Sequence, residues 1–188
     1  PAGSGKSTYC HVIQQHCEVK KRTVHVINLD PAAEAFKYTC SLDIRDLISL
    51  DDVMEELNLG PNGGLLHCME YLIENMDWFR DEIADYADDY VILDCPGQIE
   101  LYTHVPVMRL ICNEFQRLGY HITGVYCVDS TFVDDTAKYI SGTMMALRAM
   151  TFLEIPHINV LTKCDLLEMN FKRNWKQKRE ENEATAKI

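Results

Sequence analysis

The string Pro1-Ala2-Gly3-Ser4-Gly5-Lys6-Ser7-Thr8 constrains the fold more than any other stretch of the chain. It carries all but the first position of the phosphate-binding pattern G-x-x-x-x-G-K-[ST], whose opening glycine falls one residue before Pro1. Glycines at 3 and 5 let successive backbone N–H groups turn around a β-phosphate. Lys6 reaches β- and γ-oxygens, and the Ser7 hydroxyl is placed for Mg²⁺. Such a loop has to feed a helix, because a helix N-terminus carries a partial positive charge that favours anions. Residues 7–17 contain no Gly or Pro and can form that helix. Residues 23–30, Thr-Val-His-Val-Ile-Asn-Leu-Asp, alternate and then run apolar like a buried strand. The loop therefore sits where a loop-helix-strand unit needs it, and the strand leading into it is expected before Pro1.

At 188 residues the chain suits one domain with a sizeable core. A formal charge of −11 argues against sequence-blind binding of nucleic acid or anionic membrane and points to protein or metal-nucleotide partners. The eight cysteines show no C-x-x-C pair and no His/Cys ligand spacing, and no signal peptide or long apolar span is seen. They read as reduced thiols of the cytosol or nucleus. Cys10, Cys17, Cys68, Cys95, Cys112 and Cys127 fall in apolar runs and read as small buried hydrophobes.

Strands are expected again at 90–94, 124–129 and 158–161, with helices at about 105–118 and 136–152. Strands separated by helices make a mostly parallel sheet covered on both faces, with ligands outside the carboxyl ends of its strands. Between the strand at 23–30 and that at 90–94 lies an acidic stretch expected to be irregular, from Pro31 to Glu56. Gly60-Pro61-Asn62-Gly63-Gly64 follows, so dense in turn formers that a tight loop is expected. Met69, Leu72, Met76, Phe79 and Ile83 then recur at helical spacing. From Glu168 the apolar pattern fails, and 168–188 reads as a charged helical or disordered tail.

Asp94 ends an apolar strand and is followed by Cys95-Pro96-Gly97-Gln98. That arrangement suits a carboxylate serving Mg²⁺ and a glutamine orienting a water for in-line attack on a phosphate. Asp30 is a second carboxylate at the same sheet edge, either a cap on the turn at Pro31 or a contact for the attacking water. Thr162-Lys163-Cys164-Asp165 closes another strand. A carboxylate there accepts from guanine N1–H and its exocyclic amine, which adenine does not offer in that arrangement, while the Lys163 stem can lie along the base. GTP is favoured over ATP.

In this order, the loop at 1–8, Leu29-Asp30-Pro31-Ala32-Ala33-Glu34, Gly60-Pro61-Asn62-Gly63-Gly64, Asp94-Cys95-Pro96-Gly97-Gln98-Ile99-Glu100-Leu101 and Thr162-Lys163-Cys164-Asp165 resemble the GPN-loop GTPases. Cys68-Met69-Glu70-Tyr71 and the Asp43-Ile44-Arg45 segment are most similar to the third eukaryotic paralogue, with the second as runner-up. The resemblance implies a P-loop NTPase fold, a three-layer α/β sandwich over 1–167, with a GPN-loop insertion around 31–64. It implies a dimeric GTPase using GTP/GDP and Mg²⁺, in which Gly60, Pro61 and Asn62 of one subunit enter the site of the other. It further implies a homodimer or a heterodimer with a paralogous GPN-loop GTPase, clients among RNA polymerase II subunits or assembly factors, and a cytoplasmic protein that shuttles to the nucleus for nuclear import. On that reading the catalytic residues are Gln98, Asp30 and Asn62, and Ser7 and Asp94 serve the metal. Gly3 to Thr8 hold phosphate, and Thr162 to Asp165 read the base. The first strand and the later family elements are expected to be missing from these residues. A central strand of about five or six buried apolar residues is worth about 10 kcal/mol, so the expectation is that 1–188 alone folds poorly and binds nucleotide weakly. The rival readings are an assembly scaffold with little turnover, a catalytically impaired fragment, and a small-molecule kinase, for which no arginine-rich lid is found.

Overall fold

The structure, a computed structural model, describes residues 1–86 and 88–167. The tail expected over 168–188 lies outside the described residues. The helices and strands follow in the order α1 (Lys6–Val19), β1 (Val24–Asn28), β2 (Cys40–Asp43), α2 (Leu50–Leu57), α3 (Pro61–Glu74), α4 (Met76–Ile83), β3 (Tyr90–Asp94), α5 (Val107–Arg117), β4 (Gly124–Asp129), α6 (Thr136–Leu153) and β5 (His157–Thr162). Every strand pairing among them is parallel.

β1 lies between β2 and β3, and its neighbouring residues face opposite ways, as a strand requires. Val26 packs with Cys10 of α1 and with Tyr38 on one face. Ile27 joins the larger core on the other, with Met69 and Leu72 of α3, Phe79 of α4 and Ile111 of α5. Both strand residues are fully buried, which at about 1.5–3 kcal/mol for each aliphatic side chain fixes the register of the central strand. The result is the expected α/β/α sandwich. β4 and β5 form a second parallel pair, not joined to the first by strand hydrogen bonds. A cavity of about 430 Å³ separates β3 from β4, lined by Ile92 and Leu93 on one side, Val125 and Cys127 on the other, and Pro1.

Three expectations need correction. The stretch after Asp30 is not irregular throughout, for it contains β2 and α2. β2 is only four residues long and α2 only eight, too short for periodicity to announce them. The dense glycine run does not stop a helix either: α3 starts at Pro61 and runs through Gly63 and Gly64. Proline suits a first helical position, where its missing N–H has no helical partner anyway. Gly64 is needed for a different reason, because a Cβ there would come within 2.9 Å of Leu50 Cδ1 and 3.0 Å of Met54 Cγ on α2. Finally, the apolar stripe at 69–83 spans two helices, α3 and α4, which meet at Asn75. Met69, Leu72, Phe79 and Ile83 are buried as their spacing predicts.

Cys10, Cys17, Cys68, Cys112 and Cys127 are buried and Cys95 is half-buried, and no disulfide joins the cysteines. Burial pushes the Cys68 and Cys112 thiols up to about 11, so they remain protonated and unreactive. No helix among the described residues is long and apolar enough to cross a membrane.

Candidate active site

α1 begins without a capping side chain and without an acidic residue in its first turn. Its N–H groups are therefore open to an outside acceptor, as an anion site requires. Gly3 (φ 67°) and Gly5 (φ 86°) take the left-handed backbone that gives the loop its turn. Ser4 is buried and donates from its hydroxyl to the Pro1 carbonyl at 2.7 Å. Lys6 Nζ folds back to the same carbonyl at 3.0 Å, so the ammonium already lies over the loop. Ser7 and Thr8 are exposed on the opening turn.

Parallel register sets Asn28 of β1 beside Asp94 of β3, and Leu29 N–H donates to the Asp94 carbonyl at 2.8 Å. The two carboxylates singled out by sequence thus share one sheet edge. Asp30 is held by Asn28, a fully buried amide that accepts from Asp30 N–H and donates to Asp30 O and to Asp43 Oδ1. Arg45 forks onto the Asp43 carboxylate and donates to Ala33 O at 2.7 Å, which clamps the loop from its far side. Asp30 Oδ1 accepts from Ala32 N–H at 3.0 Å, so it does cap the turn. Burial pushes the Asp30 carboxyl up, against the opposing pull of the Ala32 N–H and the Lys6 charge.

Gly97 touches the phosphate loop, since a Cβ on it would lie 2.8 Å from Ala2 Cα. Any larger residue would push the two loops apart. The next residue, Gln98, is half-buried, and its Oε1 is buried without a hydrogen-bond partner among the described residues. Thr162 at the end of β5 joins the other half of the molecule to the phosphate loop. Its hydroxyl donates to Ser4 O at 2.7 Å, with Val128 O also near at 3.1 Å. Lys163 follows in a left-handed conformation (φ 57°), uncommon for a residue with a side chain. Its carbonyl accepts from the buried Ser130 hydroxyl at 2.7 Å, and its Nζ pairs with Asp129 Oδ2 at 2.7 Å. Cys164 and Asp165 are exposed beyond this anchored turn.

A family model described as "Conserved hypothetical ATP binding protein" matches residues 1–187. A protein of Dictyostelium discoideum named GPN-loop GTPase 3 is 60% identical over 168 residues, 89% of this chain and 59% of that relative. The chain belongs to the GPN-loop GTPase family. Proteins of the same name from Saccharomyces cerevisiae and Danio rerio are 54% identical over 169 residues and 53% over 175. They are covered over 62% and 61% of their length, so the chain spans about 60% of these relatives. A crystal structure of a GTPase in apo form from Pyrococcus abyssi superposes with a TM-score of 0.77 at 27% identity, over 94% of this chain and 69% of that one. The P-loop fold expected from the sequence is therefore the fold of this member of the GPN-loop GTPase family.

Gly60, Pro61 and Asn62, the tripeptide that gives the GPN-loop GTPases their name, stand at the exposed N-terminus of α3. This helix also lacks a capping side chain and an acidic first turn. Among the described residues no hydrogen bond ties the tripeptide to the phosphate loop of its own chain; the amide of Gly64 returns to Gly60 O within the helix. The residues proposed for Mg²⁺ fit a hard cation, which takes oxygen ligands. Asp94 is buried, and its Oδ1 has no partner among the described residues. No group of three His, Cys, Asp or Glu side chains able to hold a metal occurs among those residues. Sequence reasoning missed Asn28, Arg45, Gln14 and Tyr38. Only their contacts give them meaning, although a buried tyrosine always needs a partner for its hydroxyl.

Proposed function

We propose that the protein binds GTP with Mg²⁺ and hydrolyses it as one half of a dimer, in the service of RNA polymerase II assembly and nuclear import. The observation that carries the nucleotide reading is the Thr162 bridge to Ser4. It holds the base-reading turn against the phosphate loop in one rigid wall, with the open turn of α1 between them. Gly3 to Thr8 then bind the phosphates, with Lys6 free to exchange its loop carbonyl for β- and γ-oxygens. Asp165 accepts from guanine, and the Lys163–Asp129 pair keeps the lysine stem along the base. Gln98 and Asp30 hold the attacking water; the unpartnered Gln98 Oε1 can accept a hydrogen bond from it and so orient it. When bound through Ser7 and Asp94, Mg²⁺ supplies charge neutralisation at the phosphates. The dimer is supported by the exposure of Asn62 at an open helix end and by the family resemblance. The polymerase clients, the paralogous partner and the shuttling between cytoplasm and nucleus rest on that resemblance alone.

Competition of unlabelled GTP and ATP against a fluorescent GDP analogue, followed by product analysis, tests the reading. GTP is expected to compete at least about tenfold better, since hydrogen bonds to a charged acceptor contribute about 1.5–3 kcal/mol, and free phosphate is the expected product. Gln98→Ala should slow hydrolysis about a hundredfold, the scale on which misplacing a reacting group acts, with nucleotide affinity within about threefold. Equal competition by ATP, or a phosphorylated acceptor in place of free phosphate, would overturn it.

A further inference from the structure

Asp94 has two oxygens in very different circumstances. Oδ2 accepts a hydrogen bond from the Tyr38 hydroxyl at 2.9 Å, and both side chains are buried. Oδ1 is also buried and has no partner among the described residues. Tyr38 does not come from the phosphate loop or from β3. It lies on the segment between Asp30 and β2, and that segment is fixed from both sides. Gln14 of α1, itself buried, donates from Nε2 to Thr39 O and accepts at Oε1 from Thr39 N–H, each at 2.9 Å. Phe36 stacks on the Tyr38 ring with centroids 5.0 Å apart, and the Arg45 guanidinium lies 4.7 Å from the centre of the Phe36 ring.

This is more restraint than filling space requires. A phenylalanine at 38 would occupy the same place between Cys10 and Val26, yet a hydroxyl is held on the carboxylate that the proposed function gives to the metal. With Oδ2 held, rotating the carboxylate breaks that hydrogen bond, so the orientation that leaves Oδ1 free is favoured. We propose that Tyr38 is a positioning residue for the metal, holding Asp94 through Oδ2 so that Oδ1 meets Mg²⁺ or its bound water. The inference rests on the GTP and Mg²⁺ reading above. It gives the insertion between β1 and β3 a second route into the site, through its own chain, besides the one through Asn62.

The test is a Mg²⁺ titration of the dissociation of a fluorescent GDP analogue from the purified protein, with and without Tyr38→Phe. Loss of a group that orients a metal ligand typically weakens the metal about 10–100-fold, so the Mg²⁺ concentration for half effect should rise at least about tenfold. Affinity in excess EDTA should stay at the wild-type value, a result that a merely structural tyrosine, whose loss loosens the whole site, does not give. An Asp94→Asn background provides a second check in which Tyr38→Phe should add no further change to the Mg²⁺ midpoint. An unchanged midpoint in Tyr38→Phe, with a normal Mg²⁺ response in the wild type, overturns the role of Tyr38 alone. A wild type indifferent to Mg²⁺ overturns the functional reading, and this inference with it.

Discussion

Among the described residues α1, α3, α4 and α5 begin without a capping side chain, and two of them, α1 and α3, begin in opposite surroundings. The N-terminus of α1 is enclosed: Thr162 reaches Ser4 O, Gly97 lies against Ala2, and Lys6 folds over the loop. The N-terminus of α3 is bare, with Gly60, Pro61, Asn62 and Gly63 all exposed. Both present free N–H groups and a favourable dipole. The difference is that the first already has the walls of a binding site, whereas the second has a rigid support and no walls. An open helix end thus becomes a site only when other elements converge on it, and on the proposed dimer those elements come to α3 from the partner subunit.

The support of α3 is the place to break the comparison most severely. Gly64 packs on Leu50 and Met54 so closely that a side chain has no room. Gly64→Val is expected to lose about 2–3 kcal/mol of stability by overpacking, read as a lower melting temperature. Gly63→Ala, one residue earlier, meets only Leu59 at an ordinary 3.8 Å. It should leave stability unchanged or raise it by up to about 1 kcal/mol through better helix propensity. Nucleotide affinity below the melting range should change by no more than about threefold in either variant, because α1 does not depend on α2 and α3 for its walls. Equal melting of the two variants would show that the α2–α3 contact is not what positions the tripeptide.

The same contrast explains what sequence could and could not reveal. The phosphate loop, Asp94, Gln98 and the turn at Thr162 were legible because their chemistry is written in short strings with fixed spacing. β1, β3, β4, β5, α5 and α6 were legible because their apolar runs or periods are long enough to count. β2 and α2 were not, since four and eight residues give too few repeats. The helix through Gly63 and Gly64 contradicts local propensity, and tertiary packing of Gly64 against α2 overrides it. Tyr38, Gln14 and Asn28 stand apart from the motif strings, and Arg45 enters them only through the Asp43-Ile44-Arg45 segment, with no role attached. Their roles depend on which residues meet across strands and loops, information that no window of sequence contains.

A milder intervention separates the two helix ends functionally. Asn62→Ala removes an exposed side chain with no hydrogen bond among those found in this chain, so stability should stay within about 0.5 kcal/mol. If Asn62 completes a partner's site, turnover should fall about tenfold, the equivalent of one hydrogen bond to a charged group, while nucleotide affinity holds. The effect should also depend on protein concentration, because only dimers carry it. Unchanged turnover at concentrations where the wild type is dimeric would remove Asn62 from the chemistry and leave α3 as a purely structural helix.

The smallest expected effect concerns the wall that α3 lacks. Beside α1 that wall includes the pair between Lys163 and Asp129, whose carboxylate also accepts from Thr131 N–H and hydroxyl. The Lys163 ammonium holds the Asp129 carboxyl below its usual range. A depressed carboxylate stabilises the fold fully above its unfolded value, about 3.9, and the contribution fades as pH falls through the lower folded value. Lys163 is more than one-third exposed, so solvent screening limits the pair to about 1 kcal/mol at most. Thermal melts from about pH 6 down to pH 3 should therefore fall slightly more steeply for the wild type than for Asp129→Asn, with the difference opening only below about pH 4. High salt should shrink it. Parallel curves would mean that the Ser130–Lys163 and Thr162–Ser4 hydrogen bonds hold the wall of α1 without help from charge, and that neutral contacts alone distinguish the enclosed helix end from the bare one.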